Sequence, residues 1–250
     1  MDAKTLKSQS GKHGIQQATL EKDYALSIAL KEISQSNLKG KFIFKGGTAI
    51  KKIYFANARF SEDLDFTATK ATAQEIESGL HFLFENRKIL DVSFFGLSKE
   101  KTTAGLRLAL KFTSALNHPQ TIRFDISFRD NIVLKPVEME VIDTYSLGKS
   151  SAMVLQLEEI FAEKIQALLT RTVARDLYDT WYLFKNNVKL NRQIVNKKFG
   201  FYNEEFDPGK LESKIIGFKA NWNRDLQQFL KQVPDYETTA KEVTEWFKSA

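Results

Sequence analysis

A glycine pair and a threonine, Gly46-Gly47-Thr48, precede an Asp63-Leu64-Asp65 triplet, and a third aspartate, Asp125, follows in a later alternating segment. Adjacent glycines after a strand let the backbone approach a ligand closely. Amides at the helix start that follows, with the Thr48 hydroxyl, can donate to phosphate oxygens. Asp63 and Asp65 repel one another when both are ionised, a cost that a divalent cation removes by coordinating the two. A glycine turn, an Asp-x-Asp strand and a later strand carboxylate form a phosphoryl-transfer layout: phosphates at Gly46, Gly47 and Thr48, metal at Asp63 and Asp65, and Asp125 as third ligand. Asp125 has a second reading, as a surface carboxylate paired with Arg123 or Arg129 on its own strand face.

These residues need elements that hold them. Leu20, Tyr24, Ile28 and Ile33 recur at helical spacing, so Thr19 to about Ser34 reads as an amphipathic helix whose task is packing. Lys41 to Lys45 reads as a short strand ended by the glycines, with Thr48 capping a helix that runs to about Phe55. In the strand Asp63 to Phe66 the period of two turns both aspartates to one face. A helix over about 73–86 and a strand near 92–95 come next. Two alternating strands separated by Asn117-His118-Pro119-Gln120 then form an antiparallel hairpin. Leu106, Leu108, Leu110 and Phe112 share one face of the first, and Ile122, Phe124, Ile126 and Phe128 one face of the second. Arg123, Asp125, Ser127 and Arg129 take the other.

Beyond about Leu155 strand signals fade and helical patterns dominate through Phe184, near Leu211 to Leu230 and over Thr238 to Phe247. The fold class is therefore α+β, a mixed sheet with flanking helices followed by a helical region. The expected division is a catalytic domain over 1–150 and a helical domain over 151–250 that completes the active-site cleft. In the helical part, Leu157, Phe161, Lys164, Leu168 and Arg171 fall on one stripe. An inward lysine needs a partner: Lys164 either extends its ammonium past the core to solvent or contacts a triphosphate. Asp176 and Asp179, one turn apart, either pair with these cations or face the cleft. Lys189 to Lys198 reads as a solvated face.

Composition narrows the chemistry. The chain has 250 residues, 42% hydrophobic and 27% charged, the profile of a folded globular protein. Lys and Arg exceed Asp and Glu by 37 − 31 = +6, which favours polyanionic partners. The absence of cysteine excludes disulfides, thiolate zinc sites and a cysteine nucleophile, and three histidines (His13, His81, His118) argue against a histidine metal site. Met1-Asp2-Ala3-Lys4-Thr5 lacks a signal-peptide pattern and no apolar run reaches membrane-spanning length, so a cytoplasmic location with no membrane partner is the expectation.

The sequence resembles the AbiEii/AbiGii-type nucleotidyltransferases, which include toxins of bacterial type IV toxin–antitoxin systems and relatives of the mycobacterial MenT enzymes. The resemblance is carried by Leu20-Glu21-Lys22-Asp23-Tyr24, by Phe44-Lys45-Gly46-Gly47-Thr48-Ala49-Ile50 and by Arg59-Phe60-Ser61-Glu62-Asp63-Leu64-Asp65-Phe66. It continues through Glu158-Glu159 leading to Lys164 and Arg171, and through Arg175-Asp176-Leu177-Tyr178-Asp179, where many relatives have lysine first. It implies a nucleotidyltransferase fold with a helical region, using magnesium (or manganese) and a nucleoside triphosphate. The implied acceptor is an RNA end such as a tRNA acceptor, and a cognate antitoxin is the implied protein partner. Gly47, Thr48, Asp63, Asp65, Lys164 and Asp179 carry over as active-site residues. Lys164 and Arg171 would orient the nucleotide with Asp179, while Asp125 rests on its strand face rather than on the family. Two rivals remain: a phosphotransferase or protein-modifying nucleotidyl transfer at the same site, and a non-catalytic scaffold that binds RNA or an antitoxin.

Overall fold

The computed structural model describes residues 1–102 and 105–249, and the chain separates into two compact units. Residues 1–130 and 136–155 form the first; residues 131–135 and 156–250 belong to the second.

The first unit begins with helices α1 (Ala3–His13) and α2 (Gln17–Ser34), then β1 (Phe42–Lys45), the short α3 (Gly46–Ala49) and a π-helical turn, Ile50–Tyr54. There follow β2 (Asp63–Ala68), α4 (Ala73–Phe84), β3 (Arg87–Ile89), β4 (Val92–Glu100), β5 (Leu106–Thr113), β6 (Gln120–Ser127), β7 (Val137–Glu140) and β8 (Ser151–Val154). The strands make one eight-stranded mixed sheet in the order β3-β4-β5-β6-β2-β1-β8-β7. The β5–β6 hairpin forms as the alternation requires, and β2 pairs antiparallel with β1 and parallel with β6. The sequence reading omits β3, β7 and β8, which have three or four residues each and too few alternations to register.

One sheet face is apolar by the pattern of the strands. Phe44, Leu64, Phe66, Leu108, Leu110, Phe112, Ile122 and Phe124 are all buried, and Phe84 of α4 meets Phe94 and Phe124 at ring-centre separations of 5.4 and 5.9 Å. Helix α4 starts where Thr72 and Glu75 form a reciprocal capping box.

Helix α2 does more than pack. Glu21 accepts from Leu116 N in the β5–β6 loop (2.8 Å), Lys22 pairs with Glu62 (3.0 Å), and the Tyr24 hydroxyl donates to Asp91 (2.6 Å). Asp23 is fully buried and pairs with the buried Lys52 of the π-turn at 2.6 Å. Lys52 also donates to Ser27 Oγ (2.8 Å), and the Tyr145 hydroxyl donates to Asp23 Oδ2 (2.7 Å), where burial pushes its pKa well above the ordinary tyrosine value. A buried ion pair is tolerated when such additional hydrogen bonds surround it.

The second unit is helical: α5 (Leu157–Thr170), α6 (Ala174–Lys185), α7 (Arg192–Gly200), α8 (Lys210–Lys214), α9 (Trp222–Leu226) and α10 (Tyr236–Ser249). Trp246 of α10 stacks against Phe161 of α5 at 5.4 Å and meets the tilted ring of Phe184 of α6 at 5.2 Å. The expectation that Lys189 to Lys198 is a solvated face needs correction where the stretch enters α7, since Ile194, Val195 and Lys198 are buried. Lys198 is buried on α7, reaching Glu159 (2.6 Å), Glu163 (3.0 Å) and the carbonyl of Asn131 (2.7 Å). Glu159 in turn accepts from the amides of Val133 and Leu134, both at 2.8 Å, which fastens residues 131–135 to this unit. Among the described residues no helix is long and apolar enough to cross a membrane.

Removing one member of the Asp23–Lys52 pair leaves a buried charge uncompensated. Asp23→Ala should lower stability by about 3–5 kcal/mol, and the Asp23→Leu/Lys52→Met double variant should recover most of it, as read by denaturant unfolding. Unchanged midpoints for Asp23→Ala would remove this account of how α2 holds the π-turn.

Candidate active site

Register brings the glycine turn and the aspartates together. Lys45, the last residue of β1, pairs with Asp65 on β2, so the chain leaving β1 turns directly beside that carboxylate. Gly46 has φ +76°, in the left-handed region, and a Cβ there would overlap Asp65 Oδ2. Gly47 faces a second constraint: a Cβ would lie 2.8 Å from Arg59 Nη2. Glycine is thus required at position 46 by the backbone and by the approach to Asp65, while a side chain at position 47 would displace the Arg59 guanidinium.

Thr48 departs from its expected capping position. The N-cap of α3 is Lys45, and Thr48 sits buried inside the helix, its hydroxyl donating to the backbone carbonyl of Asp63. The physical reason is that β1 pairs with β2 up to Lys45, so the helix starts at once and carries Thr48 under the end of β2. That bond ties the glycine helix to the strand with the aspartates.

Asp63 and Asp65 share the polar face of β2, and Asp65 stands in register with Asp125 on β6. Asp125 pairs with neither of the arginines on its own strand. It accepts from Arg107 Nε of β5, in register with it, while Arg123 pairs with Glu100 of β4 at 3.2 Å. The hydrogen bond to Asp125 raises the Arg107 pKa above its ordinary value, with Asp63 and Glu100 adding to the effect. Arg107 is the site residue that sequence reasoning missed. Its signal was present, since Leu106 and Leu108 face the core and Arg107 must face the other way, but the pairing needed the hairpin register.

Between the glycine helix and β2, the loop 55–62 is organised by Lys51, which is 7% exposed. Its ammonium donates to the carbonyls of Ala56 and Ala58, both at 3.0 Å, and lies 4.0 Å from the Phe60 ring centre. Burial pushes the Lys51 pKa down to about 8.

The donor set suits a hard divalent cation: carboxylate oxygens, with no thiolate available. Asp63 and Asp65 stand on one strand face beside a turn that only glycine can make, which fits two-ligand binding. A third ligand is not already gathered, since among the described residues no three Asp, Glu, His or Cys side chains form a metal-holding group.

In the helical unit Lys164 does not extend to solvent. Its ammonium, 12% exposed, meets Asp179 at 2.7 Å and Asp176 at 3.6 Å. Arg171 binds the same Asp176 in a fork, at 2.7 and 3.1 Å. Lys164, Arg171, Asp176 and Asp179 are therefore one network, the pairing alternative of the sequence reading.

A mixed sheet that seats a glycine turn against paired aspartates defines a nucleotidyltransferase. The family comparison agrees. Residues 28–249 match the family model described as the nucleotidyl transferase AbiEii toxin of type IV toxin–antitoxin systems, and the chain belongs to this family. Among solved structures it is similar to MenT4, a nucleotidyltransferase toxin from Mycobacterium tuberculosis H37Rv. The TM-score is 0.76 at 18% identity, over 100% of this chain and 90% of that one. It is also similar to a putative nucleotidyltransferase from H. pylori, with a TM-score of 0.61 at 22% identity over 94% of this chain and 95% of that one. At such identities the likeness is one of fold. No match was found among curated protein sequences.

Two outcomes follow from this geometry. Gly46→Ala should cost at least about 1–2 kcal/mol from the left-handed backbone alone and should depress nucleotidyl transfer. Gly40→Ala, whose Cβ would meet nothing within 4 Å, should do neither; equal activities of the two variants would contradict the seating of the turn on Asp65. Lys51 gives a pH signature. Between its folded value of about 8 and its ordinary 10.5, the unfolded chain binds more protons at this position, so its contribution to stability rises with pH. Below that window both states are protonated and the cost of burial is constant. Wild type should therefore gain stability relative to Lys51→Met as pH goes from 8 to 10, measured by unfolding at each pH; parallel profiles would refute the burial of a charged ammonium.

Proposed function

We propose that this enzyme transfers a nucleoside monophosphate from a nucleoside triphosphate to a hydroxyl of an RNA acceptor, of the tRNA class implied by the resemblance. The observation that carries the reading is the overlap a side chain at Gly46 would make with Asp65: one location serves both the phosphate turn and the carboxylates. In this reading the amides of Gly46, Gly47 and Thr48 donate to triphosphate oxygens. The Thr48 hydroxyl keeps the end of β2 against the turn, and Lys51 fixes the loop between them. Asp63 and Asp65, with Asp125 as third ligand, are the residues that would hold magnesium or manganese. Such a cation supplies charge neutralisation at the α-phosphate and the departing pyrophosphate. The acceptor hydroxyl oxygen bonds to the α-phosphorus as the bond to the bridging oxygen breaks; pyrophosphate leaves with that electron pair, and the hydroxyl proton passes to solvent. Lys164, Arg171 and Asp179 orient the nucleotide, as the resemblance implies.

The excess of 37 basic over 31 acidic residues supports a polyanionic acceptor. Membership of a type IV toxin family supports a cognate antitoxin as partner, and substrates of this kind support action in the cytoplasm. Phosphoryl transfer, or nucleotidyl transfer to a protein, is the rival at the same site, and product mass separates them because a nucleotide adds far more than a phosphate.

The test is incubation of wild type and Asp63→Ala protein with bacterial RNA, magnesium and each α-labelled nucleoside triphosphate. Wild type should label an RNA band, and Asp63→Ala should lose at least about a hundredfold in rate, as expected when several kcal/mol of transition-state stabilisation are removed, while remaining folded. Equal labelling by the variant would sink the assignment of Asp63; label on protein alone would replace RNA as acceptor.

A further inference from the structure

The polar sheet face carries a row of charge that the proposed reaction leaves unexplained. Strand register aligns Lys45, Asp65, Asp125, Arg107 and Glu100 on five neighbouring strands, from β1 through β2, β6 and β5 to β4. Asp65 and Asp125 are adjacent in this row, and like charges directly opposite on paired strands destabilise the sheet. Arg107 counters that repulsion by donating from Nε to Asp125. The pair is reachable from solvent, with the Asp125 side chain 25% and the Arg107 side chain 40% exposed, so it can exchange. Arg123 occupies the neighbouring row beside Asp63, yet its carboxylate partner is Glu100. Only one of the two arginines therefore holds a carboxylate assigned to metal.

We propose that Arg107 is a displaceable counter-ion of the metal site: it occupies Asp125 until a divalent cation held by Asp63 and Asp65 takes Asp125 as a further ligand and releases the guanidinium. Arg107 and the cation then compete for a single carboxylate. This accounts for the absence of a ready group of three metal-holding side chains among the described residues. Arg107 is in this sense a positioning residue, acting through Asp125. The inference rests on the metal reading of Asp63 and Asp65.

The test is Mn²⁺ affinity of the full chain without nucleotide, measured by calorimetry and by the spin-resonance signal of free Mn²⁺. Arg107→Gln should bind Mn²⁺ about fivefold more tightly than wild type, the scale of releasing one solvent-exposed ion pair. The gain should vanish when Asp125→Asn is added. Arg123→Gln removes the same charge beside the site without freeing Asp125, and should tighten binding by less than Arg107→Gln. Arg107→Lys, which keeps the charge and is the variant to use if Arg107→Gln misfolds, should stay near wild type. Unchanged or weaker binding by Arg107→Gln, a gain that survives in the double variant, or an equal gain from Arg123→Gln would each overturn the proposal. Failure of the underlying metal reading looks different, because Asp63→Ala would then bind Mn²⁺ as wild type does.

Discussion

Three carboxylates, Asp63, Asp65 and Asp125, project from one face of two adjacent parallel strands, and their mutual repulsion is the constraint around which the first unit is arranged. Unopposed, such a cluster would weaken the pairing of β2 with β6. The sheet meets it with register: Lys45 aligns with Asp65, Arg107 with Asp125 and Arg123 with Asp63, so each aspartate has a cation within one strand spacing. The apolar face beneath supplies the rigidity. Phe44, Leu64, Phe66 and Phe124 are buried under the same backbone positions that hold the charges above.

Buried lysines extend the same logic away from the site. Lys52 ties the π-turn to Asp23 of α2, Lys51 gathers the carbonyls of the loop that returns to β2, and Lys198 joins α7 to Glu159 and the segment 131–135. Lys51 and Lys198 meet carbonyls of irregular backbone, which regular ladders cannot satisfy and a flexible donor with three protons can, whereas Lys52 meets the Asp23 carboxylate and the Ser27 hydroxyl on α2. Long side chains here act as internal fasteners, and for that reason three lysines of a basic protein are unavailable to a polyanion.

The chain belongs to the AbiEii family, and the glycine turn, the Asp-x-Asp strand and the lysine–aspartate stretch are the residues on which its sequence resembles that family. Membership does not by itself explain the pairing of Arg107 with Asp125, which follows from the register of the β5–β6 hairpin. Function in a common fold is decided at such positions, where a strand alignment chooses which charge meets which.

The sequence by itself determined the local parts. Period-two alternation turned Asp63 and Asp65 to one side, glycines marked the turn, and apolar spacing gave α2, α4 and the hairpin, because these depend on residues a few positions apart. The short strands β3, β7 and β8 escaped it, as did helix α1. Tertiary structure alone decided the rest. It buried Thr48 under Asp63, gave Asp125 to Arg107 instead of Arg123 or Arg129, ended Lys164 on Asp179, and drew Lys198 out of a lysine-rich surface stretch. The physical reason is that a side chain's partner across strands or helices is set by register and crossing. These are fixed by burial of the whole apolar face, and spacing along the chain does not encode them.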